Sequence, residues 1–186
     1  MARDLLGCIL WRRIGRTLLA ARLVEAEAYL GANDPASHAR RGLRSPRNES
    51  MYLEGGHAYV YFTYGMYYCL NVVTQERDIA EAVLLRAAQP LEGIQIMQKL
   101  RPKARKESDL ASGPGKLCIA MDIDRDLDGE SLDGKRLFIT RGTEAVAGDE
   151  IAVSPRIGVD GAPEAAHWPL RFFLAGNRYV SRRSVK

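Results

Sequence analysis

Apolar and polar residues alternate in short runs along most of this chain, which is the pattern of partly buried β-strands. The segments CILWRRI (8–14) and TLLAARLVEAEAYL (17–30), joined around Gly15-Arg16, predict a β-hairpin. Further strands are predicted within the segments 59–72, 80–88, 135–142, 149–159 and 170–181. The sequence therefore predicts a protein built mainly from strands.

Two segments have the spacing of short helices. In PLEGIQIMQKL (90–100), apolar residues recur at helical intervals after Pro90, and KLCIAM (116–121) follows an SGPG turn. Because strands outnumber helices and do not alternate regularly with them, we predict an α+β fold around a mainly antiparallel sheet.

Composition narrows the class of protein. The chain has 186 residues, 46% of them hydrophobic and 27% charged, which suits one globular domain over residues 1–186. No apolar run approaches the roughly 20 residues that a membrane-spanning helix needs. No signal peptide is recognised, so we predict a cytoplasmic location, with nucleoid association in a bacterium. Cys8, Cys69 and Cys118 are isolated and indicate neither a disulfide framework nor a zinc site.

Two segments resemble ligand-binding loops but lack a required residue. SGPGKL (112–117) lacks the first glycine of a phosphate-binding P-loop, since position 110 is leucine. DRDLDGESLDGK (124–135) has Lys135 where a calcium loop needs a glutamate. We therefore predict catalysis without a metal ion and without a cofactor.

Positive charge is concentrated in the polar loop that precedes the tyrosine-rich segment. The net charge is +4, and HARRGLRSPRN (38–48), here called the arginine loop, carries four arginines and no acid. These arginines are Arg40, Arg41, Arg44 and Arg47. Guanidinium groups suit bidentate phosphate contacts, so we predict that this loop binds nucleic acid. A second basic run, KLRPKARK (99–106), is equally compatible with a solvated loop.

The segment YVYFTYGMYYCLNV (59–72) contains five of the eight tyrosines. Alternation places Tyr59 and Tyr61 on one face of a strand, and Gly65 suits the tight turn of a protruding hairpin. Tyr64 then lies at the tip, where its own domain buries it poorly. A packing residue is one interpretation; the other is a wedge that enters a stack of DNA bases.

Carboxylates are the candidate catalytic groups. Glu25, Glu27 and Tyr29 project from one face of the predicted strand, about 7 Å apart at successive Cβ atoms. Mutual repulsion and partial burial raise the pKa of one such acid toward the range of a general base. His38, beyond the following turn, adds an imidazole. Such a pair on a strand is more often a solvent-facing surface, but its neighbours favour a site.

Several motifs, in order along nearly the whole chain, resemble the alkyladenine (3-methyladenine) DNA glycosylase family. They are VEAEAYLG, PASHARRG, SPRN, YVYFTYGMYYCLNV, VLLRAAQPLEG, SGPGKLC and LRFF. The resemblance implies a single mixed domain around a curved antiparallel sheet. It also implies a monofunctional enzyme that flips alkylated or deaminated purines out of duplex DNA and hydrolyses the N-glycosidic bond. The partner is then double-stranded DNA with damaged purines, bound by a monomer without membrane contact.

The same resemblance assigns roles to individual residues. Glu27 matches the general base, and Arg86 with the backbone carbonyl of Ile157 matches the groups that hold the attacking water. Tyr29, His38 and Tyr61 match the walls of the base pocket. Asn71 matches the side chain that obstructs the 2-amino group of guanine. The DNA-contacting side chains correspond to the intercalating Tyr64 and to Met51 and Met66 on the DNA-facing surface.

Two other functions use part of the same features. A non-catalytic nucleic-acid-binding module needs the aromatic side chains and arginines but not Glu27. A carbohydrate hydrolase needs Glu25 and Glu27 as a carboxylate pair but not the arginine loop. Excision of a single hypoxanthine from a DNA duplex distinguishes all three.

Overall fold

The computed structural model describes residues 1–143 and 146–181, and an antiparallel sheet of eight strands dominates it. The strands are β1 (Ile9–Ile14), β2 (Thr17–Tyr29), β3 (Ala58–Thr63), β4 (Tyr67–Val73), β5 (Ala82–Glu92), β6 (Leu137–Thr140), β7 (Ile151–Ser154) and β8 (Arg171–Leu174). The main path of the sheet runs β3-β4-β5-β2-β1-β6, with β8 pairing with both β2 and β7. The sheet is curled, which confirms the predicted α+β fold with a curved antiparallel sheet.

Strand β2 lies at the centre and changes its partner part-way along. Residues 17–22 pair with β1, whereas Glu25–Glu27 pair with β8, and β5 accompanies β2 on its other side. The register against β5 shifts on both sides of Glu25. Because bulges bend a strand and redirect its side chains, the change of partner opens the sheet where the candidate carboxylates lie.

Two α-helices occur among the described residues, α1 (Ile94–Leu100) and α2 (Pro114–Ala120). Helix α2 packs on β4, β5 and α1. Together they cover the main hydrophobic core, which the apolar sides of the central strands fill from the other side. In the described part of the chain, no helix has the length and apolar character to cross a membrane.

The first helix begins later than predicted. Pro90 and Leu91 still belong to β5, and the helix starts only after Gly93, whose φ is 72°. Pro90 pairs with Ala21 beside a register shift, where a strand tolerates a missing amide donor. Apolar spacing alone could not reveal this, because the strand ends at a glycine turn inside the predicted helix.

The loop between β2 and β3 is folded into three short 3₁₀ turns. They are Gly31–Asn33, Arg40–Gly42 and Glu49–Tyr52. A second, smaller hydrophobic cluster lies under this loop and joins it to β3, β4 and β5. Its members are Ala39, Met51, Tyr52, Tyr59, Val73, Ala80 and Ala82. This cluster holds the arginine loop against the sheet next to the tyrosine-rich hairpin.

Candidate active site

Two buried carboxylates on β2 form the base of the site. Glu25 and Glu27 both have 0% exposure, and Arg86 on the neighbouring β5 binds both of them. Arg86 Nε donates to Glu25 Oε1 at 3.1 Å and Nη1 donates to Glu27 Oε2 at 3.1 Å. One arginine can reach both acids only if they share a face, which confirms the alternation predicted for this strand.

Three hydrogen-bond donors bind the Glu27 carboxylate, and its pKa is nevertheless raised. Besides Arg86, the Ile157 amide donates to Oε1 at 2.7 Å and the Tyr29 hydroxyl donates to Oε2 at 3.1 Å. Burial nevertheless raises the pKa of Glu27, and the three donors oppose that rise. A carboxylate with a raised pKa is a stronger proton acceptor, as a general base requires.

The predicted water-holding groups contact the carboxylate itself. Ile157 contacts Glu27 through its backbone amide, whereas the resemblance assigns its backbone carbonyl to the attacking water. The Arg86 guanidinium donates hydrogen bonds to Glu25 and Glu27. Both residues thus orient the candidate base, and their part in holding a water stays a prediction.

A cavity of about 360 Å³ lies in front of this carboxylate. The four predicted pocket residues, Tyr29, His38, Tyr61 and Asn71, all line it, together with Met51, Tyr59, Tyr64 and the segment 158–162. Glu27 and Arg86 do not line it; they are buried behind Tyr29. The volume is in the range of small-molecule sites and has room for a purine.

Aromatic rings form one wall of the cavity. The His38 and Tyr61 rings meet edge to face with centroids 4.5 Å apart, and Tyr59 and Tyr61 lie 5.3 Å apart. His38 Nδ1 and the Tyr59 hydroxyl are hydrogen-bonded at 2.7 Å. Burial, reinforced by Arg47 and Arg40, lowers the pKa of His38 to about 4. His38 is therefore neutral at physiological pH and does not repel a cationic ligand.

Asn71 is fixed at the floor of the cavity. It faces Tyr59 across the β3–β4 pair, and its Nδ2 donates to the Tyr59 carbonyl at 3.0 Å. The side chain is buried at 4% exposure, so its position is set before any ligand arrives. A fixed amide here could discriminate between purines by shape, as the resemblance implies.

The hairpin of β3 and β4 protrudes as predicted. Tyr64 has φ 52° and Gly65 φ 67°, and the Met66 amide donates to the Thr63 carbonyl to close the turn. Tyr64 is 78% exposed and Met66 63% exposed at the tip, while Tyr64 also lines the cavity mouth. A large apolar tip beside a cavity opening is an unusual surface for a protein to leave uncovered.

The arginine loop lies at the surface beside the same opening. Arg40, Arg41, Arg44 and Arg47 are all exposed, and Arg40 lines the cavity. The Arg47 guanidinium lies 6.0 Å from the centroid of the Tyr61 ring. Arg44 differs from the others because Glu49 and Asp78 both form ion pairs with it. A phosphate would have to compete with these two carboxylates for Arg44.

The prediction that Met51 lies on a DNA-facing surface is wrong as far as exposure is concerned. Met51 is 2% exposed and belongs to the small cluster under the loop. The 3₁₀ turn Glu49–Tyr52 directs the side chain inward, where it lines the cavity. It can therefore contact only a group that enters the cavity.

Four buried residues of the site were not predicted. Asp34, Arg156, Arg171 and Ser181 surround the two carboxylates or the cavity walls. Arg171 Nε donates to Glu25 Oε1 at 2.7 Å, and the Ser181 amide and hydroxyl donate to the same carboxylate at 2.6 and 2.8 Å. Asp34, Arg156 and Ser181 carry no local pattern that marks them, and Arg171 lies in the LRFF motif without a predicted role. In the described residues, no group of three or more His, Cys, Asp or Glu side chains could hold a metal ion.

The sequence model of the methylpurine-DNA glycosylase family matches residues 1–178. The chain belongs to this family. A relative from Methanocella arvoryzae is 49% identical over 185 residues, covering 99% of this chain and 90% of the relative. A relative from Carboxydothermus hydrogenoformans is 49% identical over 184 residues, covering 98% and 93%. Both carry the name "Putative 3-methyladenine DNA glycosylase".

Membership in the family establishes the class of reaction. The chain is a methylpurine-DNA glycosylase, a hydrolase of N-glycosyl bonds that acts on DNA in base excision repair. The carbohydrate-hydrolase alternative is overturned by this match, and it also conflicts with the geometry, because Glu25 is sealed behind Arg171 and Ser181. The non-catalytic alternative is overturned as well, because the family is one of enzymes.

Proposed function

We propose that this glycosylase flips alkylated and deaminated purines out of double-stranded DNA, as a monomer, and hydrolyses their glycosidic bonds with Glu27 as the base. The observation that carries the proposal is a buried carboxylate with a raised pKa, one hydrogen bond behind an aromatic cavity. A base inside a duplex is out of reach of such a site, so the nucleotide has to leave the stack.

Tyr64 is suited to fill the space that the flipped nucleotide leaves. Its ring protrudes from the tip of the hairpin and stands at the cavity mouth, 78% exposed. Inserted side chains of this kind offset part of the cost of unstacking a base step. The arginines beside the opening are exposed, which supports a role in binding the phosphates on either side.

Hydrolysis then proceeds at the sugar of the flipped nucleotide. Water attacks C1′ and the N-glycosidic bond breaks, its electron pair passing to the purine, and an abasic site remains. A cationic alkylated purine leaves as a neutral base, whereas a neutral purine such as hypoxanthine needs a proton as it leaves. Glu27 accepts a proton from the water and stabilises the positive charge that develops on the sugar, as carboxylates do in glycoside cleavage. Since Glu27 is behind the wall, the water must reach it beside Tyr29 or pass its proton through the Tyr29 hydroxyl.

The cavity walls favour damaged purines in two ways. An alkylated purine is cationic, and aromatic faces attract cations. Neutral His38 avoids the repulsion that an imidazolium would add. A neutral deaminated purine such as hypoxanthine lacks this attraction and must depend on the shape and hydrogen bonds of the cavity, including those near Asn71.

The test is excision of one hypoxanthine or one 7-methylguanine from a duplex, with alkali cleavage at the resulting abasic site. We expect excision of both, and Tyr64→Ala should slow excision from the duplex more than from the same single strand. Equal losses on both substrates would show that Tyr64 has no role in flipping. Phe62→Ala, which removes another exposed ring from the same hairpin, is the matched control.

A further inference from the structure

Two loop segments line the cavity, and a buried ion pair joins them. The segment 31–42 contributes Pro35, Ala36, His38 and Arg40 to the lining, and the segment 155–162 contributes Gly158, Val159, Gly161 and Ala162. Asp34 belongs to the first segment and Arg156 to the second, and both side chains have 0% exposure. Arg156 Nη1 and Nη2 bind the two carboxylate oxygens of Asp34, the latter at 2.8 Å.

Asp34 organises its own segment as well. Its carboxylate accepts from the Leu30 amide at 3.1 Å and from the Ala36 amide at 3.0 Å, which closes the turn leading to His38. The guanidinium of Arg156 also lowers the pKa of Asp34, although burial opposes this. The pair is therefore charged, and it fixes the turn relative to the opposite segment.

Arg156 also supports Tyr29 directly. Its guanidinium lies 4.5 Å from the centroid of the Tyr29 ring, and its Nη1 donates to the Ala28 carbonyl at 2.9 Å. Arg156 does not line the cavity, so it covers a side of the ring turned away from the cavity. The Arg156 Nε atom is buried and makes no hydrogen bond to the described residues. The terminal nitrogens and the stacked face thus hold the guanidinium in place.

The next residue carries the contact to the catalytic carboxylate. Ile157 donates its amide to Glu27 at 2.7 Å, while Tyr29 donates its hydroxyl to the other oxygen. Both donors are fixed by Arg156, one as its chain neighbour and one by stacking. Displacement of Arg156 must therefore disturb both bonds to Glu27.

We propose that Arg156, through its pairing with Asp34 and its stacking on Tyr29, is a positioning residue that sets the orientation of Glu27 toward the cavity. This inference rests on the proposed function of Glu27. The side chain touches neither the substrate nor the attacking water; it acts through Tyr29 and the Ile157 amide. A misplacement of about 1 Å at a reacting group can cost on the order of 10²-fold in rate.

The test variant is Arg156→Lys, which keeps the charge beside Asp34 and loses the planar, bidentate contact. We expect single-turnover excision of 7-methylguanine to fall on the order of 10²-fold, with unchanged binding to the same duplex. Arg12→Lys is the matched control. The Arg12 side chain is also largely buried, lies 3.8 Å from the carboxylate of Asp122 and donates to the Asp122 carbonyl, and on β1 it makes none of the contacts described for the site. It should leave the rate unchanged.

The rate–pH profile separates positioning from loss of folding. The Ile157 amide lowers the pKa of Glu27, so loosening that bond raises the pKa and keeps the base protonated to higher pH. The rising limb of the profile should therefore move to higher pH in Arg156→Lys. The other groups around Glu27, namely Arg86, Glu25, Tyr29 and Cys69, are unchanged in this variant. The proposal would be overturned if the excision rate fell only in proportion to the folded fraction and the rate–pH profile stayed that of the wild type.

A second measurement does not depend on activity. In Arg156→Lys, the Ile157 amide should exchange with deuterium at least about tenfold faster than in the wild type, while amides of the β2–β5 ladder keep their rates. Asp34→Asn should have the same local effect, and it serves if Arg156→Lys fails to fold. Unchanged exchange at Ile157 would overturn the inference. If the wild type excised no purine, the proposed function would be overturned instead. The exchange result would still show whether Arg156 holds the Ile157 amide in place.

Discussion

Glu25 and Glu27, the two carboxylates at the two ends of the site on β2, have the same side chain but different surroundings. At one end, here called the sealed end, Glu25 accepts from Arg86, Arg171 and both donor groups of Ser181. Two cations and two neutral donors therefore surround one anion that has no contact with the cavity. In such a position a carboxylate acts as an anchor between strands and the final described turn of the chain.

At the other end, here called the cavity end, Glu27 contacts only one cation among the described residues, Arg86. Burial outweighs that cation together with the amide of Ile157 and the hydroxyl of Tyr29, and the pKa of Glu27 is raised. The difference teaches that buried acids two residues apart can have different surroundings, set by the number of cations around each. At Glu27, burial destabilises the anion at the place where the mechanism needs a base.

The largest effect should come from Glu27→Gln at the cavity end. The amide keeps the shape but removes the proton acceptor and the negative charge beside the developing oxocarbenium ion. Single-turnover excision should fall about 10²–10⁴-fold, toward the upper end because both roles are lost. Stability should fall less than in Glu25→Gln, because burial already disfavours the charge of Glu27 and only Arg86, among the described residues, loses an ionic partner. Retained activity on every lesion would remove Glu27 from the mechanism.

The same substitution at the sealed end should act on stability instead. The neutral amide of glutamine cannot balance the charges of Arg86 and Arg171. Its NH2 group would also face one of the N–H donors that now bind the carboxylate. Breaking a buried ion pair costs about 3–5 kcal/mol, so urea unfolding should show a loss of that size. If Glu25→Gln unfolds like the wild type, the distinction between the two ends fails.

Acid should act on the cavity end through His38. The folded protein keeps His38 neutral down to its pKa of about 4, whereas the unfolded chain takes up the proton near the ordinary histidine pKa of 6.5. The unfolded state binds more protons in this window, so stability falls as pH is lowered from 6.5 to 4. The slope for one site is at most about 1.4 kcal/mol per pH unit. His38→Phe should lack this pH dependence of the free energy of unfolding, which urea unfolding at several pH values measures. An equal slope in both proteins would mean that the His38 ring is exposed to solvent in the folded protein.

The smallest effect should distinguish two arginines of the arginine loop. Arg47→Ala should reduce the slope of log K for duplex binding against log salt by roughly 0.9, the value for one phosphate contact. Arg44→Ala should change the slope less, because Glu49 and Asp78 already bind its guanidinium. Binding titrations at several salt concentrations measure both. Equal changes would mean that Arg44 leaves its carboxylates for DNA.

Local patterns predicted the parts of the site that neighbouring residues define. Alternation put Glu25, Glu27 and Tyr29 on one face, and the Tyr64-Gly65 turn was recognisable because glycine favours a positive φ. Exposure was harder to predict. Met51 is buried because the 3₁₀ turn carrying it folds onto the second cluster, which depends on residues from three strands.

The sequence by itself determined the strands, the hairpin tip, the facing carboxylates and the family, because each rests on short-range periodicity or on an ordered set of motifs. Only the tertiary structure decided which carboxylate is sealed and which is hydrogen-bonded to a residue of the cavity wall, Tyr29. Arg171 and Ser181 reach Glu25 from about 150 residues further along the chain, and Arg156 reaches Asp34 from 122 residues away. Burial and ion pairing act through space, so the pKa of a side chain depends on partners that no local pattern identifies.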